Sequence, residues 1–88
     1  MDLETTFKVT TEDGLHARPA GLLAKKAAEF KSKIELQHAG EAVNAKSIMM
    51  IMSLGLEKGS EVRIVANGDD ANLAILALSE LVKNGFTE

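Results

Sequence analysis

The 88-residue sequence contains no cysteine, no tryptophan, no tyrosine and a single proline. Without cysteine the chain has no disulfide, no thiolate metal ligand and no thiol nucleophile, and nothing indicates an oxidising compartment. Three phenylalanines are the only aromatic residues and the formal net charge is −3, so the sequence offers no platform for base stacking or phosphate neutralisation. We therefore expect no nucleic-acid partner.

Long hydrophobic runs are also missing, because no apolar stretch approaches the roughly 18 residues of a membrane span. The acidic start, Met1-Asp2-Leu3-Glu4, lacks the cationic and apolar regions of a signal peptide. We expect no membrane insertion and a cytoplasmic location. The chain is 45% hydrophobic and 26% charged, which is typical of a globular domain, and residues 1–88 are expected to form one domain with one core.

Four stretches alternate polar and apolar residues with the two-residue period of a half-buried strand. They cover Leu3–Thr10, residues 33–38, residues 41–45 and residues 62–66. The connection Ala39-Gly40 is typical of a tight hairpin, so the second and third strands are expected to be antiparallel neighbours. The full strand order does not follow from this periodicity.

Two segments with helical spacing lie between these strands. The first helix is expected to start close to His16 and to continue up to Lys31. The second is expected to be short, with Ser47 as its N-cap, an end near Leu54, and Gly55 in the left-handed conformation that follows many helices.

A third helix follows the last strand, and we expect Asp69 and Asp70 to cap and charge its start. One buried stripe is predicted along it, formed by Ala74, Ile75, Leu78, Leu81 and Val82. The element order is therefore β-α-β-β-α-β-α. This order predicts an open-faced α/β sandwich, with one sheet face against the helices and the other in water.

The segment Gly14-Leu15-His16-Ala17-Arg18-Pro19-Ala20 places a histidine and an arginine at the entry of the first helix. Free amides and the helix dipole make such an end an anion site, and Arg18 adds a charged fork. A histidine there stays neutral more readily, which leaves a ring nitrogen free to attack phosphorus. These features suggest transient phosphorylation of His16. The alternative is that His16 only begins the helix and Arg18 is a solvated charge.

The segment Lys46–Leu54 is too apolar for an exposed two-turn helix. If Ile51 and Leu54 face the core, then Ile48, Met49 and Met52 form an adaptable apolar surface. A phosphate on Ser47 would be held by free helix amides beside that surface, so Ser47 is a candidate switch. The alternative is that Ser47 only caps the helix and the methionines fill the core.

The remaining charged and metal-ligating residues give weaker signals. His38 has no second ligand at a sensible spacing, so no metal site and no cofactor are predicted. A basic cluster near the first helix is expected to be a solvated face that can also steer an acidic partner towards His16. Its members are Lys25, Lys26, Lys31 and Lys33.

Taken together, Gly14–Ala20, Lys46-Ser47-Ile48-Met49, Ser53-Leu54-Gly55 and the element order resemble the HPr family, the histidine-containing phosphocarriers of the bacterial phosphoenolpyruvate-dependent sugar phosphotransferase system. The likeness spans essentially the whole chain. It implies an α/β (α+β) open-faced β-sandwich, with a four-stranded antiparallel sheet and three helices on one face. It also implies a phosphocarrier and not a stand-alone enzyme.

The resemblance further implies that His16 accepts a phosphoryl group on Nδ1 from phospho-Enzyme I and passes it to IIA domains of sugar permeases. Arg18 would position the phosphate, together with the backbone of Ala17 and Arg18. Ser47 would be modified by HPr kinase/phosphorylase, and the modified form would bind a catabolite-control repressor. Partner contacts are expected at Ile48, Met49, Met52 and Lys25. A monomer is expected, because the docking face must stay free.

Two residues depart from the family pattern. Met50 stands where relatives commonly have glycine, and it enlarges the side chains near the docking face. Gly21 stands where a larger residue is usual. Glycine within a helix lowers its stability by about 1 kcal/mol relative to alanine. An alternative within the family is a mainly regulatory paralogue, and the presence of His16 argues against it.

Overall fold

The computed structural model describes residues 2–10, 14–15 and 17–86. Its elements follow the predicted order, which is thereby confirmed. They are β1 (Asp2–Lys8), α1 (Ala17–Ala27), β2 (Lys33–His38), β3 (Glu41–Asn44), α2 (Ile48–Ser53), β4 (Glu61–Asn67) and α3 (Ala71–Lys83). Within the described ranges, no helix is long and apolar enough to cross a membrane.

The four strands form one antiparallel sheet in the order β1-β4-β2-β3. The central strand β4 pairs on both sides, so that Ile64 lies between Thr5 of β1 and Leu36 of β2. β4 is the last strand in the sequence, yet it lies inside the sheet between β1 and β2. The predicted four-stranded antiparallel sheet is confirmed, and this strand order is what the periodicity of the sequence left undetermined.

Alternation along the strands puts the apolar residues on one face of the sheet. The side chains of Ile34, Leu36, Val62 and Ile64 are buried there and share one core cluster with buried residues of all three helices. The helix residues in that cluster include Leu23, Ala27, Ile51, Leu78 and Leu81. The opposite face carries exposed polar residues such as Glu4, Thr6, Lys33 and Arg63. The prediction of an open-faced sandwich with three helices on one face is therefore confirmed.

The hairpin between β2 and β3 turns at Ala39-Gly40, as predicted. Both residues have positive φ, 51° and 85°, which is the backbone of a type I′ turn. Glycine adopts this conformation without a steric penalty, whereas Ala39 is held in it by the hairpin. The turn fixes the pairing of Glu35 with Asn44 across the two strands.

The first helix ends earlier than predicted, at Ala27 and not at Lys31. Beyond it the backbone tightens, because the amide of Glu29 donates to the carbonyl of Lys26 and that of Phe30 to the carbonyl of Ala27, each three residues back. Such 3₁₀-type bonds are common at the ends of helices. The spacing of Phe30 fits a helical stripe, so the sequence pattern did not reveal this change.

Asp70 occupies the N-cap position of α3, but its side chain makes no capping hydrogen bond. Its carboxylate instead accepts from the amide of Lys31 at 2.8 Å, from the amide of Ser32 at 2.9 Å and from the Ser32 hydroxyl. Asp70 is thus the N-cap residue, as predicted, and its carbonyl accepts from the Ala74 amide at 3.0 Å. A capping bond from its side chain is not made, because two loop amides 38 and 39 residues away bind the carboxylate instead. The Ser32 hydroxyl above all, and then the Lys31 amide, hold the pKa of Asp70 below its ordinary value.

The other boundaries shift by one or two residues. β1 covers Asp2–Lys8 where Leu3–Thr10 was predicted, and β3 ends at Asn44, one residue before the predicted end. β4 extends one residue beyond the prediction at each end. The alternation predicted for β1 is correct, and it continues past the strand to Val9, which is buried.

Candidate functional site

The entry of α1 is fixed by the two residues that the structure describes before it, Gly14 and Leu15. The Leu15 side chain is buried, and its amide donates to the carbonyl of Leu56 at 3.1 Å. Gly14 has φ +74°, and a Cβ there would lie 2.3 Å from the same carbonyl oxygen. Only glycine permits this approach, so the segment before α1 is held against the loop that follows α2.

His16 lies outside the described residues, and in the sequence it directly precedes α1. Ala17 and Arg18, the first two residues of α1, are exposed, whereas Pro19 and Ala20 are buried. Proline is tolerated here because amides in the first turn of a helix have no intrahelical acceptor. The core therefore anchors α1 through its third and fourth residues and leaves the first two facing solvent.

The charge around the start of α1 favours an anion. The first turn contains no acidic residue and carries the Arg18 guanidinium. Unpaired amides and the positive end of the helix dipole add to this field. A helix start of this kind is suited to binding an anion, and the phosphate-binding roles of Ala17 and Arg18 stay predictions.

Ser47 is the N-cap of α2, as predicted. Its backbone is extended, with φ −113° and ψ 115°, and its Oγ accepts from the Met50 amide at 3.3 Å. At the other end of α2, Leu54 is the C-cap and Gly55 has φ +62°, which confirms the predicted left-handed residue.

The turn before Ser47 is tied down by its neighbours. The Asn44 side chain accepts from the Lys46 amide at 2.9 Å, and the Asn44 carbonyl accepts from the Ser47 amide at 3.2 Å. The Lys46 ammonium group donates to the carbonyl of Phe30 at 2.7 Å, which connects this turn to the segment after α1. The Lys46 contact joins residues 16 positions apart, so no local pattern in the sequence predicts it.

The surface of α2 is apolar. Ile51 is fully buried and Leu54 packs partly against the core, whereas Ile48, Met49 and Met52 expose 46%, 82% and 44% of their surface. The predicted exposure is confirmed, and the alternative that the methionines fill the core is wrong. Met50, also exposed at 45%, completes this surface. We call Ile48, Met49, Met50 and Met52 the methionine patch.

The two helices that carry these groups are neighbours. A Cβ built on Gly21, in α1, would lie 3.9 Å from Cδ1 of Ile48 in α2. Gly21 follows Arg18 by three residues, so both lie on the same side of α1. The methionine patch is therefore continuous with the side of α1 that carries Arg18. The partner-binding roles of Ile48, Met49 and Met52 stay predictions.

The lysines of the predicted basic cluster are not all equivalent. Lys25 is exposed in the last turn of α1, and Lys26 pairs with Glu29 at 3.5 Å. Lys31 and Lys33 are exposed on the segment that leads into β2. A solvated basic face is therefore present, as predicted, and steering of a partner by Lys25 stays a prediction.

No metal or cofactor ligands were predicted, and the His38 side chain contacts the backbone of β4. Its Nδ1 lies 2.9 Å from the carbonyl oxygen of Glu61 across the sheet. In the part of the chain that the structure describes, no group of three or more His, Asp and Glu side chains is arranged to hold a metal ion.

Comparison with known proteins identifies the family. Residues 3–84 match the family described as the PTS HPr component phosphorylation site. The chain belongs to the HPr family. HPr proteins are phosphocarriers of the phosphotransferase system, and this chain shares their open-faced β-sandwich.

Solved HPr structures cover nearly the whole chain. HPr from Thermoanaerobacter tengcongensis is 45% identical, with 98% of this chain and 97% of that chain covered and a TM-score of 0.92. The histidine-containing phosphocarrier protein of Mycoplasma is 36% identical, and the match covers 98% of this chain and 99% of that chain with a TM-score of 0.90. Crh, the catabolite repression protein of Bacillus subtilis, is 39% identical, and the match covers 93% of this chain and 94% of that chain with a TM-score of 0.75. Crh was solved as a dimer with a swapping domain.

Proposed function

We propose that this chain carries a phosphoryl group on His16, accepting it from phospho-Enzyme I and donating it to IIA domains of sugar permeases. The observation that supports this most is the start of α1. It directly follows His16 in the sequence, exposes Arg18, contains no acidic residue in its first turn and adjoins the methionine patch. A carrier needs these features, because it must present its acceptor to successive proteins.

The transfer itself is a displacement at phosphorus. The lone pair on Nδ1 of a neutral His16 attacks the phosphoryl group, the bond to the donor atom of Enzyme I breaks, and that atom keeps the electron pair. The amides of Ala17 and Arg18 and the Arg18 guanidinium offset the charge on the phosphoryl oxygens. In donation to a IIA domain, a nucleophilic atom of that domain attacks the phosphorus, the Nδ1–P bond breaks, and Nδ1 recovers its electron pair. An exposed anion site holds the group weakly enough for release.

Partner recognition is assigned to the surface beside this site. Ile48, Met49 and Met52 supply apolar contact, and methionine side chains adapt to partners of different shape. Lys25, exposed in the last turn of α1, attracts acidic surfaces.

Ser47 is proposed as a regulatory site for HPr kinase/phosphorylase. A phosphate on its Oγ would lie among the free amides at the start of α2, which favour a negative charge. The same phosphate would place charge at the border of the methionine patch. One modification would therefore disfavour apolar docking and favour a partner with basic groups, such as a catabolite-control repressor.

The test is intact mass spectrometry of the chain incubated with phosphoenolpyruvate and active Enzyme I. Wild type should gain one acid-labile phosphoryl group, and His16→Ala should gain none. His38→Ala is the matched control, because it removes the other histidine and should still be phosphorylated. Incubation with HPr kinase/phosphorylase and ATP should add an acid-stable group that Ser47→Ala lacks. No gain on wild type from an active Enzyme I would refute the carrier function.

A second candidate is a mainly regulatory paralogue, which the similarity to Crh favours. Such a protein would be modified on Ser47 but would not supply IIA domains. Transfer of label from the phosphorylated chain to a IIA domain separates the two functions. We also propose a cytoplasmic monomer, and sedimentation would contradict it by showing a stable dimer that covers His16.

A further inference from the structure

The side chains that peroxides oxidise most readily are concentrated in α2. The sequence has no cysteine and four methionines, and three of these, Met49, Met50 and Met52, lie in α2. The fourth, Met1, lies outside the described residues. Peroxides oxidise the sulfur of cysteine and methionine side chains, and exposed sulfur reacts first. Because the chain has no thiol that would react instead, a peroxide acts on it at the methionine thioethers.

The three α2 methionines are open to solvent and are not needed for packing. Met49 exposes 82% of its surface, Met50 45% and Met52 44%, whereas Ile51 is the buried residue of the helix. The hydrogen bond from Met50 to Oγ of Ser47 is donated by the backbone amide and does not involve the thioether. Oxidation of these sulfurs therefore requires no unfolding, and it leaves the core contact and the N-cap of α2 in place.

We infer that the α2 methionines form a redox-responsive modification site, at which a peroxide converts the thioethers to sulfoxides and thereby weakens docking on the methionine patch. This inference rests on the proposed function. In each step, a sulfur lone pair attacks one peroxide oxygen, an S–O bond forms and the O–O bond breaks. The departing hydroxide takes the proton of the transferred OH group and becomes water. The sulfur is oxidised by two electrons, and the peroxide is reduced by two.

Sulfoxides would change the patch from apolar to polar. Met49 and Met52 are three residues apart on one side of the helix, so their sulfoxides would lie on the same surface. A partner that covers them must desolvate the sulfoxide oxygens, and burial of a polar group without a hydrogen bond is unfavourable. The change is reversible, because methionine sulfoxide reductases restore the thioether. In that reaction a dithiol is oxidised to a disulfide and the sulfoxide oxygen leaves as water.

The test compares the chain before and after treatment with hydrogen peroxide, which catalase removes before Enzyme I is added. Peptide mass spectrometry should show one added oxygen on each α2 methionine, with Met49 oxidised first. In steady-state phosphorylation with the chain as the varied substrate, oxidation should raise KM about tenfold and leave kcat unchanged, because the acceptor His16 is not altered. Treatment with both epimer-specific sulfoxide reductases should restore KM. The melting temperature should stay close to that of the untreated chain.

The matched control is the triple variant Met49→Leu, Met50→Leu, Met52→Leu. It keeps apolar side chains of similar size on α2 and retains Met1 as its only sulfur. Whatever its untreated KM, peroxide should change that value by less than about twofold. An equal rise in the variant and in wild type would assign the effect to another residue and would overturn the inference.

Three further results would overturn the inference while untreated wild type is phosphorylated normally, so that the carrier function stands. In the first, the α2 methionines stay unmodified while Met1 is oxidised. In the second, they are fully oxidised and KM stays within about twofold of the untreated value. In the third, oxidised wild type is unfolded, so the loss does not arise from docking. If untreated wild type is not phosphorylated by an active Enzyme I, the proposed function fails and the inference fails with it.

Discussion

Asp70 and Ser32, which stand 38 residues apart, are joined by two hydrogen bonds, because the amide and the hydroxyl of Ser32 both donate to Oδ1 of Asp70. The neighbouring Lys31 amide donates to the other carboxylate oxygen. These bonds attach the loop before β2 to the start of α3. Ser32 is 2% exposed, so the pair lies at the edge of the core.

The Asp70 carboxylate should make stability depend on pH. Its pKa in the folded chain is lowered from the ordinary value of 3.8, chiefly by the Ser32 hydroxyl. Its stabilising contribution is therefore fully present above that value and is lost as the pH falls through the lowered folded pKa. Asp70→Asn should lower the urea midpoint at pH 7 and flatten its decline in acid.

Asp69→Asn is the control for that experiment, since it removes an adjacent exposed carboxylate. It should leave both the midpoint and the acid slope close to those of wild type. Equal slopes for Asp70→Asn and wild type would show that the hydrogen bonds to Ser32 and Lys31 do not account for acid sensitivity.

Gly68→Ala should destabilise the fold by about 2–4 kcal/mol. Gly68 has φ +150°, and a Cβ there would lie 2.6 Å from Oγ and 2.8 Å from Cα of Ser32. Gly40→Ala is the control, because its φ is also positive but nothing lies within 4 Å of the added Cβ. The free energy of unfolding of Gly40→Ala should fall by only about 1 kcal/mol. Equal losses in thermal or urea unfolding would argue against crowding at Ser32.

Replacing Arg18 should impair phosphoryl transfer without unfolding the chain, because its side chain is exposed. We expect Arg18→Gln to lower kcat/KM for phosphorylation by Enzyme I by about 10- to 100-fold. The kcat/KM of Arg18→Lys should lie between those of Arg18→Gln and wild type, because lysine keeps the charge but lacks the bidentate donor of arginine. Arg63→Gln removes an arginine from the opposite face of the sheet and should have no effect. A similar loss in both glutamine variants would indicate a general charge effect.

Ser47 should contribute to stability as well as to regulation. Ser47→Ala removes the acceptor for the Met50 amide and should lower stability by about 1 kcal/mol. Ser47→Asp keeps an N-cap acceptor and adds a favourable charge, so it should unfold close to wild type. Neither variant should be phosphorylated by the kinase. A Ser47→Asp variant as unstable as Ser47→Ala would contradict the capping role.

Much of the fold follows from local patterns in the sequence. The bounds of β2, the turn at Ala39-Gly40 and the N-cap at Ser47 were all predicted, because each depends on residues within a few positions. The exposed methionines were also predictable, since a two-turn helix has room to bury only one side. The family motif around His16 indicated the function, although His16 itself lies outside the described residues.

What the sequence did not reveal depends on contacts between distant segments. Asp70 has the residue type and position of an N-cap, and only the folded chain brings two loop amides to its carboxylate. The proximity of Gly21 to Ile48 likewise requires α1 and α2 to be placed side by side. The strand order could not be deduced because every strand has the same alternating pattern.

The central place of β4 also affects how the chain can fold. The sheet pairs the first strand with the last, so that Asp2 lies opposite Asn67, 65 residues later. Closing so long a loop has an entropic cost that must be met before the contacts stabilise anything, and contacts of this separation slow folding. During synthesis the first strand therefore has no partner until most of the chain has been made. The hairpin of β2 and β3 can form before that, but the sheet can be completed only afterwards.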